Sequence, residues 1–99
     1  MEQNFQTLGL SDALVAGLAK QDITVPTDIQ TKMIPAIMTG KDVVGRSETG
    51  SGKTLAYLLP IFQRIDPNVR GTQAIILTPT HELAAQVHQS FMLLLIQQR

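Results

Sequence analysis

The chain has 99 residues, of which 43% are hydrophobic and 16% are charged, so it is long enough for one domain and too apolar to be disordered. Its eight basic and eight acidic residues cancel, which excludes the basic surplus of a dedicated nucleic-acid binder and leaves any contact with DNA or RNA to local geometry. It has no cysteine, which excludes disulfides and cysteine-based zinc sites.

The N-terminal half predicts two helices and no targeting signal. The first residues, MEQNFQTLGL, lack the basic start and the long apolar stretch of a signal peptide. Ser11 can cap a first helix, whose apolar residues follow helical spacing. A second helix is predicted to begin at Thr27 and to end near Gly40, and Pro35 inside it should kink or split it.

The second half predicts strands that alternate with helices. Val43 and Val44 could form a short strand, and the apolar run at residues 74–77 is typical of a strand covered on both faces. A glycine loop and a helix interrupted by Pro60 lie between them, and a last helix is predicted from about His81 to the end. This order predicts an α/β fold in which parallel strands are flanked by helices and ligands bind at the carboxyl ends of the strands.

The last helix ends in FMLLLI, residues 91–96, which is the longest apolar run in the chain. This run is far shorter than the roughly 20 residues of a membrane span. We therefore expect a soluble, cytoplasmic protein without membrane contact. The helix at residues 83–96 has one apolar face, and its end is apolar nearly all round, which predicts that it packs against a protein partner or against domains outside this sequence. The alternative interpretation is an altered tail from a truncated or shifted reading frame.

The octet SETGSGKT, residues 47–54, is predicted to bind phosphate because a predicted strand precedes it and a helix follows it. Its glycines let the backbone approach an anion closely. Lys53 supplies a charge for the outer phosphates, and the Thr54 hydroxyl is placed to bind Mg²⁺. Ser47 stands where the strict pattern has its first glycine, so an ordinary Gly-Ser turn is the alternative interpretation.

Two further patterns each have two interpretations. Thr27 and Gln30 form a capping box at the start of the second helix, and the Gln30 amide could also read the N6 and N7 edge of adenine. Taken alone, this pattern favours capping. Thr80 lies where the last strand turns into the last helix, so it either caps that helix or contacts a nucleic-acid phosphate, and the local sequence favours neither.

Together these three patterns resemble the motifs of the DEAD-box RNA helicases. The Q motif of that family, here at about residues 3–31, is matched by Phe5, Pro26, Thr27, Ile29 and Gln30. Motif I appears as SETGSGKT at residues 47–54, and motif Ia appears as PTHELAAQ at residues 79–86. The resemblance runs from Phe5 to about Gln89 and implies that residues 1–99 are the N-terminal half of a RecA-like ATP-binding domain, an incomplete α/β P-loop domain.

The resemblance implies an ATP-dependent RNA helicase that uses ATP and Mg²⁺ and binds RNA. In such a protein Gln30 would read adenine and Phe5 would pack near the base. The phosphates would be wrapped by Ser47, Glu48, Thr49, Gly50, Ser51, Gly52, Lys53 and Thr54, with Thr54 at the Mg²⁺ ion. The RNA sugar-phosphate chain would be contacted at Pro79, Thr80, His81 and Glu82.

Three positions depart from the family pattern. Ser47 replaces an alanine, and Asp22-Ile23 stands where the family has Gly-Phe. His81 replaces the arginine of motif Ia. Because an arginine is always charged and a histidine is mostly neutral at pH 7, the contact with RNA should weaken at this point.

The sequence that names the family, D-E-A-D, does not occur in the chain. Phosphoryl transfer to water needs such a carboxylate to hold the metal, so no catalytic residue is assigned. We expect no helicase activity and little ATPase activity from these 99 residues alone. Two hypotheses remain: an N-terminal portion of an RNA helicase, or a truncated, non-catalytic module that binds a nucleotide or docks on a partner.

Overall fold

A computed structural model describes residues 4–47 and 52–97 of the chain. The regular elements in these two ranges are four helices: α1 (Asp12–Ala19), α2 (Asp28–Met38), α3 (Lys53–Arg64) and α4 (His81–Gln97). Turns and irregular segments join them. None of the described helices is both long and apolar enough to cross a membrane.

The predicted helix starts are confirmed by their side-chain caps. The Ser11 hydroxyl accepts the N–H of Leu14 at 3.3 Å and so begins α1. At the start of α2, Thr27 and Gln30 each accept a backbone N–H of the other residue, which completes a capping box. These caps satisfy N–H groups that have no partner within the helix, and the residues in each cap are only three positions apart.

Both internal prolines lie within continuous helices. Pro35 lies inside α2 and Pro60 lies inside α3, so of the two alternatives predicted at Pro35, a kink or a split, the split does not occur. Each proline removes one backbone hydrogen bond, but the turns on either side remain bonded and packing holds the helix together. Pro60 is itself buried with Leu58 and Leu59 on the inner face of α3.

The core lies where the four helices meet the N-terminal residues. It consists of Phe5, Leu8, Leu10, Leu14, Leu18, Ile34, Leu58, Leu59, Val87 and Leu94. Every helix contributes at least one of these side chains, so the core holds together segments that are distant in sequence. Burial of this kind is the main favourable term in the stability of the fold.

Helices α2 and α3 lie side by side and run in the same direction. Near their first turns, the Nε2 amide of Gln30 donates to the carbonyl of Gly52 at 3.1 Å. Near their last turns, Gly9 lies against Met38 of α2 and its carbonyl accepts from Gln63 of α3 at 2.6 Å. The amino ends of both helices therefore face the same region, next to the glycine loop.

The predicted parallel strands are absent from the part of the chain that the structure describes, and this prediction is corrected. Val43 and Val44 and residues 74–77 have no regular structure. Val44 is 93% exposed, Ile75 is 78% exposed and Leu77 is 91% exposed. A strand forms only when a neighbour pairs with its N–H and C=O groups, and no described segment pairs with either of these.

Candidate functional site

The amino ends of α2 and α3 meet at Gly52. This glycine precedes α3 as its N-cap, with a left-handed backbone at φ 90° and ψ 21°. A Cβ at this position would lie 2.6 Å from Nε2 of Gln30 and 3.0 Å from Oγ1 of Thr27. Both the torsion and the close approach therefore require glycine. The positive ends of two helix dipoles lie together at this point, which favours an anion.

Gln30 connects the two helix starts through its side-chain amide. Only 3% of the residue is exposed. Its Oε1 accepts the N–H of Thr27 at 2.9 Å, and its Nε2 donates to the carbonyl of Gly52 at 3.1 Å. The capping interpretation is thus confirmed. One amide hydrogen and one oxygen lone pair remain for another partner, and the reading of adenine stays a prediction.

The predicted phosphate loop is described only at its two ends. Glu48, Thr49, Gly50 and Ser51 lie outside the described residues. Ser47 before the gap is half-buried. Lys53 after the gap is exposed as the first residue of α3, and Thr54 is half-buried as the second. Lys53 is thus free to reach an anion held at the amino end of α3.

The predicted metal ligand Thr54 would supply one hydroxyl oxygen. No group of three or more His, Asp or Glu side chains that could hold a metal occurs within residues 4–47 and 52–97. Mg²⁺ is commonly bound by one or two protein oxygens together with phosphate oxygens and water. The Thr54 hydroxyl fits such a site only when a nucleotide supplies the phosphates.

Phe5 lies in the hydrophobic core and is 1% exposed. Its neighbours in the N-terminal turn, Leu8 and Leu10, are buried in the same cluster. The ring is therefore a packing residue in the structure. The expectation that it packs near a nucleotide base stays a prediction.

The start of α4 forms a second, separate region. The Thr80 hydroxyl accepts the N–H of Leu83 at 3.0 Å, and the Thr78 hydroxyl donates to the carbonyl of Thr80 at 3.1 Å. Capping by Thr80 is therefore confirmed. The other predicted nucleic-acid residues, Pro79, His81 and Glu82, are exposed beside it. Their contact with RNA stays a prediction.

Sequence reasoning missed two contacts that shape the site. Gln30 and Gly52 are 22 residues apart, and the motifs that contain them carry no signal that they touch. Gly45, in the segment leading to the loop, lies against the thioether sulfur of Met33 in α2, so that an added Cβ would collide with it. An isolated glycine before a phosphate loop is a weak signal of such a close approach.

Comparisons with known proteins agree with one another. The family model described as DEAD/DEAH box helicase matches residues 27–98. The chain is 44% identical over 88 residues to "ATP-dependent RNA helicase DBP8" of Mycosarcoma maydis, covering 89% of this chain and 17% of that protein.

Solved structures are similar in fold. A DEAD box protein from the hyperthermophile Methanococcus jannaschii superposes with a TM-score of 0.86 at 40% identity, covering 92% of this chain and 25% of that one. Dbp5 of S. cerevisiae, bound to RNA and ADP BeF3, gives a TM-score of 0.87 at 29% identity, covering 94% of this chain and 24% of that one. The chain spans 13% to 17% of the length of the curated relatives it matches.

Proposed function

The chain belongs to the DEAD/DEAH box helicase family, and from that membership we propose that it is the ATP-binding portion of an ATP-dependent RNA helicase. The observation that carries this proposal is the junction at Gly52, where the amino ends of α2 and α3 meet beside the exposed Lys53. The curated relatives are named ATP-dependent RNA helicases. Because the chain spans only a fraction of their length, hydrolysis and unwinding belong to a longer protein.

In this proposal the phosphates of ATP bind at the amino end of α3. Residues 47–52 wrap them with backbone N–H groups, and Lys53 neutralises the outer phosphates. Thr54 contributes its hydroxyl to Mg²⁺, which supplies charge neutralisation of the phosphates when it is bound. The buried bond between Gln30 and Gly52 fixes the end of the loop before the nucleotide arrives.

Gln30 also selects the base. Its Oε1 and Nε2 each keep one hydrogen-bonding position beyond the bonds to Thr27 and Gly52. A donor and an acceptor in one plane complement the N7 acceptor and the N6 donor of adenine, whereas guanine presents two acceptors, N7 and O6, at the same edge. The site therefore prefers ATP to GTP.

RNA binds at the start of α4. The exposed residues Pro79, His81 and Glu82 surround Thr80, and the first N–H groups of a helix are donors that suit phosphate oxygens. The similar structure of Dbp5 was determined with RNA bound. The contact is weaker than an arginine would give at position 81 because His81 lacks a permanent charge.

The irregular segments become strands in the longer protein. Along residues 74–78, Ala74, Ile76 and Thr78 line a largely apolar cavity of about 520 Å³ between α3 and α4, whereas Ile75 and Leu77 are exposed. This alternation has the period of a strand. We propose that strands from the remaining helicase sequence pair with residues 74–77 and with Val43 and Val44, which completes a RecA-like sheet. A cytoplasmic location stays a prediction.

A second candidate function is a docking module without catalysis. It is favoured by the exposed apolar side chains near the end of α4, among them Met92, Leu93 and Ile96. Such a module would hold a nucleotide without releasing phosphate. A phosphate-release assay on the longer protein with and without RNA separates the two functions, since only the helicase hydrolyses ATP in response to RNA.

ATP titration by calorimetry tests the binding proposal. We expect saturable binding that Lys53→Ala abolishes, because the variant leaves the outer phosphates without a counter-charge. Lys20→Ala is the matched control, since Lys20 is an exposed lysine just after α1. Equal affinity of Lys53→Ala and the unmodified chain would overturn the proposal.

A further inference from the structure

In the last turn of α3, the half-buried Gln63 joins this helix to the beginning of the chain. Its Oε1 accepts the N–H of Ser11 at 2.6 Å, and its Nε2 donates to the carbonyl of Gly9 at 2.6 Å. These partners are 52 and 54 residues away in sequence. One side chain thus binds a donor and an acceptor of the N-terminal turn, which we define as residues 4–11.

The N-terminal turn is a compact unit. Its backbone closes on itself through bonds from Leu8 to Asn4, from Gly9 to Gln6 and from Leu10 to Phe5. Phe5, Leu8 and Leu10 are buried in the core. Ser11 at its end is also the N-cap of α1, so Gln63 holds the turn and the start of α1 together.

The other end of α3 is held in the same manner. Its N-cap, Gly52, accepts a hydrogen bond from the Gln30 amide. The helix between these two attachments has 12 residues, a length of about 18 Å. Since a helix moves as a unit, a constraint at Gln63 also limits how far Lys53 can move at the opposite end.

We propose that Gln63 is a positioning residue for the nucleotide site, and that it couples the N-terminal turn to the phosphate-binding end of α3. This inference rests on the proposed binding of ATP. Gln63 belongs to none of the three sequence motifs, although its partners Gly9 and Ser11 lie within the Q motif at about residues 3–31. When ATP orders the amino end of α3, the Gln63 amide transmits that order to the N-terminal turn.

Hydrogen exchange with and without MgATP tests the coupling on the 99-residue chain. In the unmodified chain, ATP should slow exchange in residues 52–58 and also in residues 4–11. In Gln63→Met, which keeps the length of the side chain but has no amide, residues 52–58 should still be protected and residues 4–11 should not. The affinity for ATP should fall roughly threefold to tenfold.

Two further variants sharpen the test. Gln63→Glu keeps the acceptor for Ser11 and loses the donor for Gly9, so it should give an intermediate result and replaces Gln63→Met if that variant does not fold. Gln73→Met is the matched control, because the Gln73 amide also joins a backbone N–H and a backbone carbonyl, both of Asp66, within the loop that follows α3 and not in the N-terminal turn. This control should leave the protection of residues 4–11 by ATP unchanged.

The possible results separate the positioning role of Gln63 from the binding of ATP on which it rests. Protection of residues 52–58 by ATP without protection of residues 4–11 in the unmodified chain overturns the role of Gln63 and leaves ATP binding intact. Protection of residues 4–11 that persists in Gln63→Met overturns it as well. No response to ATP anywhere in the unmodified chain overturns both proposals.

Discussion

At the residue scale, the junction between α2 and α3 depends on the carboxamide of Gln30. It is 3% exposed and bonds to Thr27 through its oxygen and to Gly52 through its nitrogen. A carboxamide offers a donor and an acceptor in one plane, which a carboxylate cannot do. The same side chain therefore stabilises α2 and sets the geometry of the proposed phosphate site.

Replacing Gln30 with glutamate should break this junction. Gln30→Glu keeps an acceptor for Thr27 but places a carboxylate oxygen against the carbonyl of Gly52, which costs about 2 kcal/mol of unfolding free energy. Urea denaturation followed by circular dichroism measures this loss. Gln89→Glu, at an exposed position on α4, is the control and should change the midpoint little. Equal midpoints for both variants would contradict the hydrogen bond from the Gln30 amide to the carbonyl of Gly52.

Gly52 should tolerate no side chain, and Gly40 provides a matched comparison. Gly52→Ala combines a strained torsion, φ 90°, with a Cβ that would lie 2.6 Å from Gln30. Gly40→Ala has nearly the same torsion, φ 88°, but no atom within 4 Å of the added Cβ. We expect Gly40→Ala to cost about 1 kcal/mol of unfolding free energy and Gly52→Ala roughly 1 to 3 kcal/mol more. Equal losses in thermal denaturation would mean that the two helices do not meet at Gly52.

At the element scale, the sequence predicts the helices better than the strands. The caps at Ser11 and Thr27, and capping as one of the two alternatives at Thr80, can be predicted because each involves residues only three apart. A strand depends on a partner that can lie anywhere in the chain, so the apolar run at residues 74–77 could not reveal whether its partner is present. The junction of Gln30 with Gly52 could not be predicted for the same reason, since it joins two elements through tertiary packing.

The contact between α2 and the segment before the glycine loop yields a further prediction. Gly45→Ala should destabilise the chain by about 1 to 2 kcal/mol, because its Cβ would meet the sulfur of the half-buried Met33. In a Met33→Ala background this additional loss should nearly disappear, since the smaller side chain leaves room. The four unfolding free energies of this double-mutant cycle measure the interaction. If Gly45→Ala lowers the unfolding free energy equally with Met33 present and with Met33→Ala, Gly45 does not contact the Met33 side chain.

At the scale of the whole molecule, several large apolar side chains are strongly exposed. Ile75 is 78% exposed and Leu77 is 91% exposed, and the last turns of α4 add Met92 and Ile96. Large exposed apolar patches are characteristic of surfaces that bind another protein or another part of the same protein. The chain is therefore expected to associate with itself in isolation.

Replacing the exposed apolar side chains within residues 74–77 by lysine should suppress this association. The double variant Ile75→Lys and Leu77→Lys should remain monomeric at concentrations where the unmodified chain forms oligomers, because both side chains are exposed and their charges repel. Its helix content should be unchanged. Analytical ultracentrifugation and circular dichroism measure both quantities. Loss of helix in the variant would mean that residues 74–77 contribute to the fold of the isolated chain.

The central claim, that ATP binds where α2 and α3 meet, is tested most directly by nuclear magnetic resonance of the labelled chain titrated with MgATP. We predict saturable shifts of the backbone amides of Gly52, Lys53 and Thr54 and of the Gln30 side-chain amide, with smaller shifts for MgGTP at equal concentration. The amides in the middle of α4 should not respond. If none of the resonances of Gln30 and residues 52–54 changes at saturating ATP, or if only α4 responds, the junction is not a nucleotide site.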